Sequence, residues 1–271
     1  MKERLDKFIA RKNLVPSREK ARAYILGGSI RVDGETVRKP GLLVDDESRI
    51  EIRLQNEGFV SRGGMKLKKA LRVFTIRPDG RPCLDIGAST GGFTDCLLQA
   101  GASSVTAVDV GKNQLAYKLR RDSRVCVVEG FNARYIDRLK LTRTPSVVTV
   151  DVSFISIRLI LEPLAGIITG DTDVICLIKP QFELSRPLSG FKGVVGDPAI
   201  HRRIIKDLNK FFPGCGYRVL GYTFSPLQGP KGNIEFFVHL RKKAGEGTAV
   251  FPEDGIDRVV EDARSFFQDG V

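Results

Sequence analysis

The stretch Leu84-Asp85-Ile86-Gly87-Ala88-Ser89-Thr90-Gly91-Gly92-Phe93-Thr94-Asp95 constrains this chain more than any other. An apolar run over 83–86 carries a carboxylate and gives way to a loop of small residues. Phe93, Leu97 and Leu98 then recur at helical spacing. The pattern is the strand, glycine-rich turn and helix start of a nucleotide-binding α/β unit. Glycine lets the backbone turn sharply and lets a ligand approach main-chain N–H groups that a β-carbon would screen. The spacing G-x-x-x-G-G departs from the dinucleotide fingerprint, and no Lys-Ser/Thr pair follows it, so it is not a P-loop. A second apolar run over 104–110 brings Asp109 to a strand end, where a pair of ribose hydroxyls would need an acceptor. The plainer alternative is a tight turn in an unrelated α/β domain, and the second acid weighs against it.

From Arg81 onward the pattern predicts alternating strands and helices, hence an α/β fold with a mostly parallel sheet covered on both faces. Strands are expected over 83–86, 104–110, 124–128, 146–151 and 173–178, with helices over 113–120 and 198–212. The runs 217–224 and 233–240 close the sheet as an antiparallel pair, with Glu235 inside the last strand. A C-terminal helix over 254–267 packs through Ile256, Val259, Val260 and Phe266.

Residues 1–55 read as a separate small α+β unit, followed by a polar linker over 56–61. The α/β domain spans 62–245, and 246–271 is an acidic segment containing the last helix. In the first unit Leu5, Phe8 and Ile9 mark one helix. Ser17 opens a second, with Ala21, Tyr24 and Ile25 on its apolar side and Arg18, Lys20 and Arg22 on the other. Ile30 to Val32, an Asp33-Gly34 turn and Thr36-Val37 predict a hairpin. Further short strands are expected at 42–44 and 49–53.

The formal charge of +12 favours a polyanionic partner. It is unevenly spread. Residues 59–81 hold seven basic side chains (Arg62, Lys66, Lys68, Lys69, Arg72, Arg77, Arg81) against one acid, whereas 253–271 hold six acids and two arginines. A basic run is often only a solvated helix face, but this one lies between two units. The glycine-rich, basic stretch 182–197 reads either as a connector or as a loop beside the substrate groove, with Arg186 and Lys192 as phosphate contacts. The five cysteines show no C-x-x-C, and three sit in apolar strand-like runs, so they are expected to be buried thiols. Two distant histidines support no zinc site. With no signal-peptide pattern and no apolar run long enough to span a bilayer, a cytoplasmic, monomeric protein is expected.

Ligands of open α/β sheets bind at the carboxyl ends of the strands. Asp151, Lys179 and Glu235 fall there, and the helix before the first strand brings Lys66. A lysine ending the run Val174-Ile-Cys-Leu-Ile178 is costly if buried alone and demands a carboxylate partner. Two structural ion pairs at a sheet edge would satisfy that demand. Four such residues above a cofactor turn suggest chemistry.

Asp85-x-Gly87 with Asp109 at the next strand end resembles the S-adenosylmethionine (SAM) site of Rossmann-like methyltransferases. The first unit, with Ser17-Arg18 and Gly28-x-Ile30-x-Val32-Asp33-Gly34, resembles the RNA-binding domain named after small-subunit ribosomal protein S-four. Across the whole chain, Arg62-Gly-Gly-Met-Lys66-Leu, the glycine turn, Asp151-Val-Ser-Phe-Ile-Ser, Ile178-Lys179-Pro180-Gln-Phe-Glu183 and Gly232-Asn-Ile-Glu235 occur in an order that resembles the TlyA, or hemolysin-A-like, family. That resemblance implies a SAM-dependent rRNA 2′-O-methyltransferase with an FtsJ-like catalytic domain. Its Lys-Asp-Lys-Glu tetrad falls on Lys66, Asp151, Lys179 and Glu235. Met65 stands where a histidine often precedes the first lysine.

The implied cofactor set is Asp85, Gly87, Ser89, Gly91, Gly92, Phe93, Asp109, Val110 and Asn132. Asp109 would meet the ribose hydroxyls and Asn132 the adenine edge. The implied RNA contacts are Arg18, Lys20, Arg22, Arg62, Lys68, Lys69, Arg186 and Lys192, with ribosomal RNA or subunits as partner, no membrane and no metal. Lys179 is the expected general base, helped by burial and by Lys66, while Asp151 and Glu235 hold the two lysines. Three other readings compete: a ribosome-binding protein without catalysis, a methyltransferase of protein or small molecules, and a membrane-lytic hemolysin. The intact tetrad, the basic N-terminal half and the lack of a spanning segment count against them in turn.

Overall fold

The computed structural model describes residues 2–12, 14–15, 17–26, 28–52, 58–184, 191–229, 231–242 and 250–268. The chain divides into two compact units, Met1–Glu57 and Gly58–Val271.

In the first unit β1 (Glu3–Arg4) leads into α1 (Leu5–Arg11) and α2 (Arg18–Leu26). The strands β2 (Ile30–Val32), β3 (Glu35–Val37), β4 (Leu43–Val44) and β5 (Ile50–Ile52) follow. Asp33 and Gly34 both take positive φ, 52° and 89°, the geometry of a two-residue turn whose twist matches the flanking strands. β2 pairs with β3 on one side and β5 on the other. β1 pairs with β4, a contact of two-residue strands too short to show as alternation. Leu5, Phe8, Ile9, Ala21, Ile25, Ile30, Val32 and Val44 form the small core. Arg18 donates to Asp6, a fully buried acid that Arg4 also contacts, so Arg18 ties α2 to α1 while remaining half-exposed.

The second unit opens with α3 (Gly63–Val73) and β6 (Pro82–Ile86). It continues through α4 (Gly92–Gln99), β7 (Ser104–Asp109), α5 (Tyr117–Arg120), β8 (Val125–Glu129), β9 (Val147–Val150), α6 (Arg158–Leu164), β10 (Asp173–Ile178) and α7 (Pro180–Glu183). The last elements are α8 (Pro198–Phe211), β11 (Tyr217–Phe224), β12 (Phe236–Lys242) and α9 (Glu253–Gln268). The seven strands lie in the order β11-β12-β10-β9-β6-β7-β8, with β12 antiparallel to both neighbours and β6 to β10 parallel. Alternate residues feed two cores. Leu84, Ile86, Val148, Val150 and Cys176 face α6, α8 and α9, while Cys83, Val105, Val147 and Ile175 face α3, α4 and α5.

Four expectations change. The helix placed over 113–120 begins only at Tyr117. Asn113 takes φ 58°, and the N–H groups of Asn113 and Gln114 donate to the Glu129 carboxylate instead of entering a helix. Glu235 precedes the last strand and is not inside it. In α9 the packing side is Ile256, Val260 and Ala263, with Val259 partly buried and Phe266 half-exposed. Cys126 is exposed, because β8 is an edge strand, whereas Cys83, Cys96 and Cys176 are buried.

Burial pushes the Cys83 and Cys96 thiols up to about 12 and raises those of Cys176 and Cys215 as well. A thiol reagent at pH 8 is therefore expected to label Cys126 first, since the thiolate is the reacting form. Mass spectrometry of the singly labelled protein checks this, and labelling of Cys83 or Cys96 before Cys126 would contradict the packing.

Candidate active site

The sequence fixes the floor of the site. β6 ends at Ile86, and the N–H groups of Gly87 and Ala88 donate to the Val108 carbonyl as the chain turns. Gly87 takes φ 85°, and a β-carbon there would collide with the Asp151 carbonyl. Gly91 takes φ 98° and caps α4. A β-carbon on Gly92 would lie 3.0 Å from the Gly64 nitrogen and 3.1 Å from the Gly63 α-carbon. The two glycine pairs therefore let the start of the Lys66 helix lie directly against the start of α4. Asp95, almost fully buried, fastens this contact by accepting from the Val60 N–H at 2.7 Å.

A cleft of about 500 Å³ opens above this floor, within the range of small-molecule sites. Its lining includes Arg62, Lys66, Gly87, Ser89, Gly92, Phe93, Asp151, Lys179 and Glu235 from the expected set. The four ionisable residues arrive by different routes. Lys66 stands on α3, and Asp151 and Lys179 follow the parallel strands β9 and β10. Glu235 reaches the same edge because β12 runs the other way: Phe236 pairs with Ile178, which sets Glu235 beside the exit of β10. Lys66 donates to Glu235 at 2.5 Å across 169 residues of sequence. Lys179 Nζ lies 2.5 Å from Asp151 Oδ1 and donates to Ser153 Oγ at 2.8 Å. Glu235 is 1% exposed and Asp151 22%, so the two pairs differ in access to water.

Other expected residues fall elsewhere. Asp85 does not line the cleft. It is fully buried beneath the turn, where Thr94 and Thr149 donate to its two oxygens at 2.7 and 2.8 Å, and burial raises its carboxyl to about 6. Asp109 accepts from the N–H groups of Ser89 and Gly111, both at 2.7 Å, which pins the glycine turn to the end of β7. Val110 and Asn132 are exposed at the ends of β7 and β8, outside the cleft lining, and Asn132 caps a short 3₁₀ turn by accepting from Arg134. Gly91 packs against Leu115 and Leu119.

Lys69 does not point to solvent with its neighbour Lys68. Its Nζ lies 3.1 Å from the centre of the Phe224 ring and 5.5 Å from that of Phe266, and burial lowers its ammonium to about 8. Lys192 is exposed beside Phe191, and Arg22 is exposed on α2. Arg186 and the side chain of Lys20 lie outside the described residues.

The sequence reading missed Ser153, Phe154, Phe182 and Asn233. Phe154 lines the cleft at 90% exposure with φ 65°, a conformation that a bulky side chain seldom adopts. Its ring sits 5.1 Å from that of Phe182. Asn233 is buried and binds the main chain of the cleft wall on both sides, donating to Gly193 O and accepting from Val195 N, each at 2.9 Å. Ser153 and Phe154 belong to the same Asp-Val-Ser-Phe stretch as Asp151, which was the available signal.

The floor fits a nucleoside-type cofactor on its own geometry. Gly87 and Gly92 line the cleft as bare backbone, and the first turn of α4 includes main-chain N–H groups that no intrahelical carbonyl satisfies. Among the described residues no cluster of His, Cys, Asp or Glu could hold a metal, and no helix is long and apolar enough to cross a membrane.

Comparison with known proteins agrees with this architecture. The FtsJ-like methyltransferase model matches residues 59–242, and the S4 domain model matches residues 3–50. A 16S/23S rRNA (cytidine-2′-O)-methyltransferase TlyA of Mycobacterium tuberculosis is 40% identical over 261 residues, 96% of this chain and 97% of the relative. Hemolysin A of Brachyspira hyodysenteriae is 42% identical over 238 residues, 88% and 99% of the two chains. A solved Streptococcus thermophilus structure, named for hemolysin, superposes with a TM-score of 0.78 at 40% identity and covers 99% of this chain and 98% of its own. With both domains matched in order and relatives of this identity over nearly full length, the chain belongs to the TlyA, or hemolysin-A-like, family of FtsJ-like methyltransferases that carry an S4 domain.

Proposed function

We propose that this protein transfers a methyl group from SAM to a ribose 2′-hydroxyl of ribosomal RNA. The observation that carries the reading is the convergence of two lysine–carboxylate pairs on one rim of a cleft floored by the glycine turn. Family membership, the S4 domain and the net charge of +12 support an RNA substrate. A ribosomal substrate also supports a cytoplasmic location.

SAM, when bound, supplies the electrophilic methyl group. Gly87, Ser89, Gly92 and Phe93 would hold it over the floor, with Asp109 fixing the turn and Asp85 supporting it from below. Lys179 Nζ takes the 2′-hydroxyl proton, while Asp151 and Ser153 fix where that nitrogen stands. Lys66, held by Glu235, donates toward the developing alkoxide. Orientation of the hydroxyl by this rim supplies much of the remaining acceleration. Arg62 lines the cleft where a substrate phosphate would approach, and the exposed Arg22, Lys68 and Lys192 are the further RNA contacts.

The test is transfer of labelled methyl from SAM to purified small and large ribosomal subunits. Label in an alkali-resistant dinucleotide is expected, because a 2′-O-methyl group blocks cleavage at that ribose. Label confined to protein, or to a base, would overturn the reading.

A further inference from the structure

The loop 151–157 carries Asp151, Ser153 and Phe154 to the cleft, and the segment that follows β10 grips it at both ends. At its start Lys179 meets Asp151 at 2.5 Å and donates to Ser153 at 2.8 Å. At its end Glu183, on α7, accepts from Ser156 Oγ at 2.6 Å and from the Ile157 N–H at 2.8 Å. Between the two grips Phe154 holds φ 65° with its ring exposed and 5.1 Å from that of Phe182. A left-handed phenylalanine persists only where its surroundings over-determine it. Here the second determinant is Glu183. Burial raises its carboxyl above the ordinary value, and the bonds from Ser156 and Ile157 offset part of that cost while fixing where the carboxyl stands.

We propose that Glu183 is a positioning residue for methyl transfer: its carboxylate locks the far end of the 151–157 loop, so that Asp151 and Ser153 aim Lys179 and Phe154 stays presented to the cleft. The proposal rests on the methyltransferase reading above. Glu183 touches neither the glycine turn nor, among the described contacts, the Lys66–Glu235 pair. Its loss should therefore act on the Lys179 side alone.

The experiment compares wild type with Glu183→Ala, Glu183→Gln and Ser156→Ala. Three readouts are measured: kcat on ribosomal subunits, SAM affinity by calorimetry, and amide hydrogen exchange over 152–158 and 83–99. Glu183→Ala is expected to lower kcat by about tenfold or more, the scale at which misplaced groups act. SAM affinity should stay within about twofold, and exchange should rise over 152–158 only. Glu183→Gln keeps one acceptor oxygen for the Ile157 N–H and should recover part of the loss. Ser156→Ala should be non-additive with Glu183→Ala, since both remove one contact. If Glu183→Ala does not fold, Glu183→Gln and Ser156→Ala carry the same test. Unchanged exchange over 152–158, unchanged kcat, or a loss of SAM affinity equal to the loss of kcat each overturns the proposal. If the wild type labels no ribosomal RNA, the functional reading fails, and the exchange measurement still decides whether Glu183 orders the loop.

Discussion

Lys179→Ala is expected to lower methyl transfer by about 10³-fold or more while SAM affinity stays within about threefold. The lysine stands at the exit of β10 and contacts Asp151 and Ser153, whereas the glycine turn is held by Val108, Asp109 and close packing against α3. On the proposed mechanism, removing it deletes the proton acceptor without loosening the cofactor floor. Lys179→Arg should not restore turnover, because a guanidinium stays protonated. Lys66→Ala should behave differently. Glu235 is 1% exposed and loses its cation, so a stability loss of about 3 kcal/mol is expected alongside the loss of activity. Asp151, at 22% exposure, can be rehydrated when Lys179 is removed, so Lys179→Ala should melt closer to wild type. Single-turnover assays, calorimetry with SAM and thermal melts separate these outcomes. Equal destabilisation by both alanines, with SAM affinity lost in both, would make the two pairs structural.

The second large effect is expected at Gly87. Alanine there meets two obstacles at once: φ 85° disfavours any β-carbon, and the added atom would collide with the Asp151 carbonyl. That carbonyl belongs to backbone at the end of β9, where the Asp151 N–H already donates to Ile86 O at 2.9 Å, so neither partner can move freely. Strain and overpacking together should cost about 2–4 kcal/mol. Because the same contact joins the cofactor turn to the residue that holds Lys179, both SAM affinity and kcat should fall. Gly80→Ala is the comparison: its φ is also positive, at 67°, but no atom lies within 4 Å of where a β-carbon would stand, so only the backbone penalty applies. Similar melting temperatures for the two variants would show that the collision at Gly87 is relieved.

Local chemistry made much of this protein legible before any coordinates. Largely apolar runs of four to six residues marked β6, β7, β9 and β10, because a parallel strand covered on both faces reads as a nearly continuous hydrophobic segment. The Asp33-Gly34 turn and the glycine turn after β6 were readable because few residues other than glycine tolerate those backbone angles. The acid or lysine after each strand was readable because strand ends of such sheets converge on ligands.

What the sequence left open depended on pairing between distant segments. The place of β12 beside β10 brings Glu235 to Lys66, and no local pattern encodes which neighbour a strand will choose. Asp85 looked like a cofactor ligand until burial and two threonine hydroxyls claimed it. Glu129, at the end of β8, captured the N–H groups of Asn113 and Gln114 and cut the predicted helix short. Lys69, implied as an RNA contact, instead has Phe224 and Phe266 lying against it. Sequence alone determined the turns and strands, since these follow from each residue's own conformational and solvation preferences. Tertiary structure decided which charges meet and which are hidden, since a desolvated charge is stable only with a partner, and that partner is supplied by the whole fold.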